Sequence, residues 1–216
     1  SYNAFTHCVN DYILLDSGSA LGNNCGPLLI KKPTTILNTE SKIAIPGKYT
    51  TANMLLGIAF PEHQNKVEIL FSEIENELLK GNVDAGLIIH ENRFTYKEKG
   101  LEKVKDLGEF WEEETGLPIP LGGIVVKRNL PFEVQQKIER VLRRSVEYAF
   151  ANPNSSAEYV KCHAQEMKKE VVDAHIALYV NDYSISLGAQ GRKAVEKVFE
   201  KAGKEYSSVF VEGSKQ

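Results

Sequence analysis

Cysteine is scarce in this chain. Cys8, Cys25 and Cys162 are odd in number, widely spaced and free of any CxxC pair. That pattern argues against a disulfide framework and against a zinc site, and predicts reduced thiols in a cytoplasmic protein. Long apolar runs are missing as well: no stretch approaches the ~20 residues that a membrane span needs. Charge of one sign is missing too. Lys and Arg number 26 against 29 Asp and Glu, a net charge of -3, and no basic cluster is long enough to suggest a nucleic-acid surface. Internal repeats and low-complexity segments are absent from the sequence. There is no initiator methionine: the chain opens at Ser1 inside structured-looking sequence, which predicts a fragment. The lack of a signal peptide then carries no information. What is present, 216 residues of 42% hydrophobic composition, can bury one large core or two small lobes.

The most informative stretch runs from Val83 to Glu91. Leu87, Ile88 and Ile89 show no alternation, so both faces of this segment should be buried, as in a central strand of a parallel sheet. His90 follows where the strand should leave the sheet. Ligands of open α/β sheets bind outside the carboxyl ends of strands, and imidazole exchanges a proton most readily near neutral pH. A capping histidine and a catalytic one both fit that place.

Upstream, the first part of Ser1 to Asp16 fits a helix and Tyr12 to Leu15 a strand. Ser17 to Gly22 reads as a turn. Gly18, Gly22 and Gly26 resemble a phosphate loop only loosely, because the Lys-Ser/Thr ending of a P-loop is missing. Pro27 to Lys31 and Lys42 to Ile45 read as strands. After the second come Pro46 to Thr51 and a helix over Ala52 to Ala59, with Thr50 or Thr51 as its natural N-cap. Such a helix start also suits a carboxylate or phosphate. Lys66 to Phe71 is expected as a strand, Ser72 to Glu75 as a capping box, and Gly81 as the end of the helix between. Together with Val83 to Ile89 these segments make a βαβ unit. Arg93 and Tyr96 follow His90 within reach of the same cleft, but read better as surface residues of a loop.

Leu107 to Thr115 is expected as a short acidic helix. Glu112, Glu113 and Glu114 point in different directions on it and cannot share one metal ion. Gly116 to Gly123 reads as an extended connection and Ile124 to Lys127 as a strand. The rest is helical. Val134, Ile138, Val141, Leu142 and Ala149 should form the apolar face of a long helix after Pro131. Further helices are expected near Ala157 to Cys162, Val171 to Tyr183 and Gln190 to Ala202. His175 reads as a packing histidine, and His7, His63 and His163 have no ligand spacing.

Several of these stretches, in order along nearly the whole chain, resemble the 1,4-dihydroxy-6-naphthoate synthase family. They are Gly18 to Pro27, Ile45 to Ala52, Ala85 to Tyr96, Thr115 to Gly122 and Tyr179-Val180-Asn181. The stretch around His90 is the most specific. The resemblance implies a two-lobed α/β fold like that of type 2 periplasmic binding proteins. The βαβ unit, bracketed by two extended connections, puts residues 1–41 and 118–216 in lobe one and 42–117 in lobe two. The resemblance also implies a bacterial, cytoplasmic lyase of the futalosine route to menaquinone, acting on cyclic dehypoxanthine futalosine without metal or organic cofactor. The partner is then a small-molecule carboxylate substrate, with neither nucleic acid nor membrane, and the family allows a homodimer. His90 matches the family's proton acceptor, and Thr50, Thr51 and Ala52 match its substrate-binding turn. The family's N-terminal segment with a Cys-Pro-Asn-Asp motif does not occur in this sequence, so lobe one is expected to lack its first strands. Two other readings share the fold: chorismate dehydratase of the same pathway, and a carboxylate-binding protein without chemistry.

Overall fold

The computed structural model describes residues 1–163, 168–206 and 208–211. In chain order the elements are α1 (Tyr2–Thr6), β1 (Tyr12–Leu14), β2 (Ala20–Gly22), β3 (Leu28–Lys31), β4 (Ile43–Ile45), α2 (Thr51–Ala59), β5 (Lys66–Glu68), a 3-10 turn (Phe71–Glu73), α3 (Ile74–Lys80) and β6 (Ala85–Ile88). Then come α4 (Asn92–Thr95), a second 3-10 turn (Tyr96–Lys99), β7 (Glu102–Asp106), α5 (Leu107–Thr115), β8 (Ile119–Gly122) and β9 (Val125–Lys127). Five helices close the chain: α6 (Phe132–Ala151), α7 (Ala157–His163), α8 (Lys169–Tyr179), α9 (Asp182–Ile185) and α10 (Gly188–Lys201).

Two compact units result, one of residues 1–22 and 120–216, the other of residues 23–119. The first boundary therefore falls after Gly22 and not before Lys42. The reason is β3, which pairs with β6 on one side and β7 on the other and so belongs to the sheet of the second unit.

That sheet has the order β5-β4-β6-β3-β7. β4 runs parallel to β5 and β6, whereas β3 is antiparallel to both of its neighbours. The sheet is thus mixed, not parallel throughout as the apolar run of β6 suggested. An apolar run reports burial of both faces, and all four residues of β6 are buried, but it carries no information on strand direction. β6 lies in the middle of the five strands. α3 seals one face through Ile74 and Leu78, in a core with Leu28, Ile30, Ala44, Val83, Ile88, Tyr96 and Leu101. Gly86 permits that contact, since a Cβ there would stand 2.5 Å from Cγ2 of Ile74.

Four local expectations need correction. Ser72 and Glu75 do not form a capping box. Glu73 precedes α3 without any side-chain cap, and Glu75 is fully buried and bonded elsewhere. Ser17 to Gly22 is not all turn, since Ala20–Gly22 form β2, which pairs with β8. Part of the connection Gly116 to Gly123 is therefore strand as well. Tyr96 is a core residue and Arg93 is largely covered, so neither is a loop-surface residue.

In the first unit β1 pairs with β9, and Ile13, Leu15, Val126 and Val211 form a small core with Leu130 and Leu142 against it. The inner face of α6 is not the apolar stripe expected. Ile138 and Val141 are exposed, while Gln135 and Glu139 are buried. Glu139 accepts backbone N–H bonds from Asp16 (2.6 Å) and Ser17 (3.0 Å), so the helix is held by an acceptor that a loop far away in sequence requires. Asp16 in turn takes Arg192 (2.7 Å) and Ser186 (2.5 Å), tying that loop to α10. Among the described residues no helix is long and apolar enough to cross a membrane.

Candidate active site

The carboxyl ends of β4, β5, β6 and β7 share one edge of the second unit's sheet, as strand direction requires. The turn Gly47 to Thr51, the segment Leu70 to Glu73, the corner Ile89 to Asn92 and the cap Asp106 therefore gather there, where open α/β sheets bind ligands. β4 and β6 are neighbours in the sheet. The Thr50-Thr51 turn and His90 thus leave adjacent parallel strands at the same edge.

His90 is exposed and lies beyond the end of β6 with φ +58°, a left-handed conformation that a residue with a Cβ adopts rarely. Its ring meets Phe71 edge-on, the centroids 5.0 Å apart. The backbone turns at this point into α4, so strand alternation has ended and does not set the direction of Glu91. Glu91 has helical dihedrals and precedes α4.

α4 is anchored on two sides. Arg93 donates to the Gly26 carbonyl (2.6 Å) and to Oδ2 of Asp106 (2.8 Å). Asn92 donates from Nδ2 to Oε2 of Glu75, and Nζ of Lys99 reaches the same oxygen at 2.5 Å. Asp106 also caps α5, accepting the N–H bonds of Gly108 (2.8 Å) and Glu109 (3.2 Å) through Oδ1. Gly26 is needed at this crossing, because a Cβ on it would stand 2.1 Å from the Gly108 nitrogen. The Arg93, Glu75 and Asp106 partnerships escaped the sequence reading. The capping-box pattern concealed Glu75, and only Asp106, directly before a helix, carried a local signal.

At the head of α2, Thr50 is the N-cap. Its Oγ1 accepts from the Asn53 N–H (3.1 Å) and donates to the Gly47 carbonyl (2.8 Å). That hydroxyl already closes its own helix start. Thr51 and Ala52, in the first turn, are both buried. The positive end of the α2 dipole faces the edge that carries His90.

Cys25 lies next to Gly26 and is buried. Burial pushes its thiol up to about 12, although the nearby Arg93 guanidinium pulls the other way. The thiolate is the reactive form. At about pH 8, iodoacetamide is therefore expected to alkylate exposed Cys162 and to leave Cys25 of the native protein intact, as peptide mass spectrometry would read. Equal labelling of the two would show that Cys25 is not shielded. Among the described residues no three His, Cys, Asp or Glu side chains converge as a metal site. A cavity of about 330 Å³ in the first unit, lined by Asn10, Asp11, Tyr12, Lys127, Arg128 and Asn129, contains none of the expected site residues.

Comparison with known proteins bears on this edge. The chain is 41% identical over 202 residues to the 1,4-dihydroxy-6-naphthoate synthase of Thermus thermophilus, covering 94% of this chain and 74% of the relative. It is 39% identical over 210 residues to the synthase of the same name from Streptomyces coelicolor, with 95% and 74% covered. A solved structure of a protein from Archaeoglobus fulgidus superposes with a TM-score of 0.88 at 36% identity, over 94% of this chain and 76% of that one. At 13% identity, the periplasmic aliphatic sulphonate binding protein of Escherichia coli gives a TM-score of 0.56 over 99% of this chain and 75% of its own. That likeness concerns fold alone, and the fold is the two-lobed α/β fold of periplasmic binding proteins. A family model described as menaquinone biosynthesis matches residues 1–204. The chain belongs to the menaquinone biosynthesis family.

Proposed function

We propose that this chain is a carbon–carbon lyase that converts cyclic dehypoxanthine futalosine to 1,4-dihydroxy-6-naphthoate in the cytoplasm, with His90 as general base. The observation that carries the reading is His90 itself. It is an exposed imidazole in a left-handed corner at the end of the buried middle strand, beside the start of α2. Two relatives named for this synthase activity, each about 40% identical along nearly the whole chain, support the same reaction. Opening a cyclised sugar adduct to an aromatic diol needs a proton removed and a bond cleaved. A positioned imidazole contributes roughly 10²–10⁴-fold to such a step. The substrate carboxylate belongs at the start of α2, formed by the N-cap Thr50 with Thr51 and Ala52, where N–H groups and the helix dipole favour an anion.

The deciding experiment incubates the intact protein separately with cyclic dehypoxanthine futalosine and with chorismate and identifies the products by mass spectrometry. Dihydroxynaphthoate from the first substrate alone is the expected result. Consumption of chorismate would assign the sister dehydratase activity, and recovery of both compounds unchanged would leave a binding protein. At the carboxylate subsite, Thr51→Val keeps the shape of a buried side chain and removes its hydroxyl. A hydrogen bond to a charged group is worth about 1.5–3 kcal/mol. Product affinity measured by calorimetry should therefore fall roughly ten-fold to a hundred-fold. Unaltered affinity would remove the Thr51 hydroxyl from the site.

A further inference from the structure

We propose that Glu75 is a positioning residue for His90, acting through Asn92 and Lys99. This proposal rests on the reading of His90 as the base. Glu75 is fully buried on α3, and its Oε2 takes both Nδ2 of Asn92 and Nζ of Lys99. Those two residues bracket the segment that follows His90, so one carboxylate grips it at its start and at its end. Its other oxygen, Oε1, has no hydrogen-bond partner among the described residues. Burying a carboxylate is costly unless it is paired. It does not cap α3, whose N-terminus has no side-chain cap bond. What the carboxylate does accomplish is to bind the corner.

That corner needs binding. A left-handed histidine persists only where the surroundings over-determine it. Arg93 on Asp106 and Gly26 fixes one flank of α4, and Tyr96 in the core fixes the far end. The grip nearest to His90 is Asn92 on Glu75, two residues away. Releasing it leaves His90 free to return to an ordinary backbone conformation, and its imidazole then swings away from Phe71 and from the edge. Misplacement of a catalytic group by about 1 Å can cost on the order of 10²-fold in rate.

The Phe71 ring supplies a marker, because protons of an imidazole held 5.0 Å from an aromatic ring carry a ring-current shift. In the intact protein the Cε1–H NMR signal of His90, assigned by its loss in His90→Asn, should be displaced from the value of a free imidazole. Glu75→Gln removes the charge at nearly constant shape, and Asn92→Ala removes the grip nearest to His90 from a partly exposed side chain while Glu75 keeps Lys99 as its partner. Either variant should collapse the displacement and lower turnover roughly ten-fold to a hundred-fold with little change in product affinity. In the His90→Asn background, Glu75→Gln should cost nothing further, because its effect runs through His90. An unmoved His90 signal in the folded variants, or an equal loss in both backgrounds, overturns the proposal. Near-normal turnover of His90→Asn would instead refute the base assignment, while the NMR signal would still decide whether Glu75 holds the corner.

Discussion

His90→Asn should lower turnover by ~10²-fold or more while leaving affinity for the naphthoate product little changed. Asparagine keeps a polar group of similar reach and tolerates the left-handed backbone that His90 adopts, φ +58°. The substitution therefore removes proton transfer without straining the corner. That point matters for the choice of variant. An alanine would face the left-handed penalty and could shift α4, so that a lost rate would no longer report the base. The asparagine variant should also lose the acid limb of the activity profile, because the group whose protonation silences the base is gone. A variant that turns over at near wild-type rate would make His90 a corner residue and move the base elsewhere. A variant that loses product affinity in proportion to rate would make His90 a binding group.

The elements that border the candidate site were more legible in the sequence than the contacts that hold them. Leu87 and Ile88 marked a buried strand because a run without alternation has only one place in a sheet. Thr50 marked the start of α2, and Gly81 and Gly116 closed α3 and α5 with φ of +81° and +66°. These are local signals. What stayed hidden depends on partners distant in sequence. Glu75 looked like a cap because the pattern of a capping box is short and common, whereas its real partners are 17 and 24 residues away. Glu139 lies outside the apolar stripe expected of α6. It is buried because the N–H groups of Asp16 and Ser17, more than a hundred residues upstream, need an acceptor. Tyr96 and Arg93 followed a histidine in polar sequence, so nothing nearby showed that the segment folds back onto the core. Strand direction escaped for a related reason. β3 runs against its neighbours, and both-face burial looks the same in either direction.

Asp106→Ala should strongly destabilise the second unit. The carboxylate is 1% exposed and the paired Arg93 side chain 16%. Two functions are lost together. One is the cap of α5, a loss that typically costs about 0.5–2 kcal/mol. The other is the counter-charge of a guanidinium that cannot easily reach water, since its Nη1 is held by the Gly26 carbonyl. Removing one partner of a buried pair costs about 3–5 kcal/mol, mostly for the orphaned charge. A domain of ordinary stability has only about 5–15 kcal/mol in all. The midpoint of the denaturant transition should therefore fall steeply. Two companion variants separate the causes. Asp106→Asn keeps an acceptor for the Gly108 and Glu109 N–H groups and removes the charge, so it should retain the cap and still be strongly destabilised. Adding Arg93→Met to Asp106→Ala removes the orphaned cation and should restore about 1 kcal/mol or more relative to Asp106→Ala alone. If Asp106→Ala instead lies within about 1 kcal/mol of the parent, the pair behaves as a solvated surface bridge. Arg93 would then not be the clamp that holds α4 against the sheet edge. If Asp106→Asn matches the parent while Asp106→Ala falls, the cap carries the stability and the charge does not.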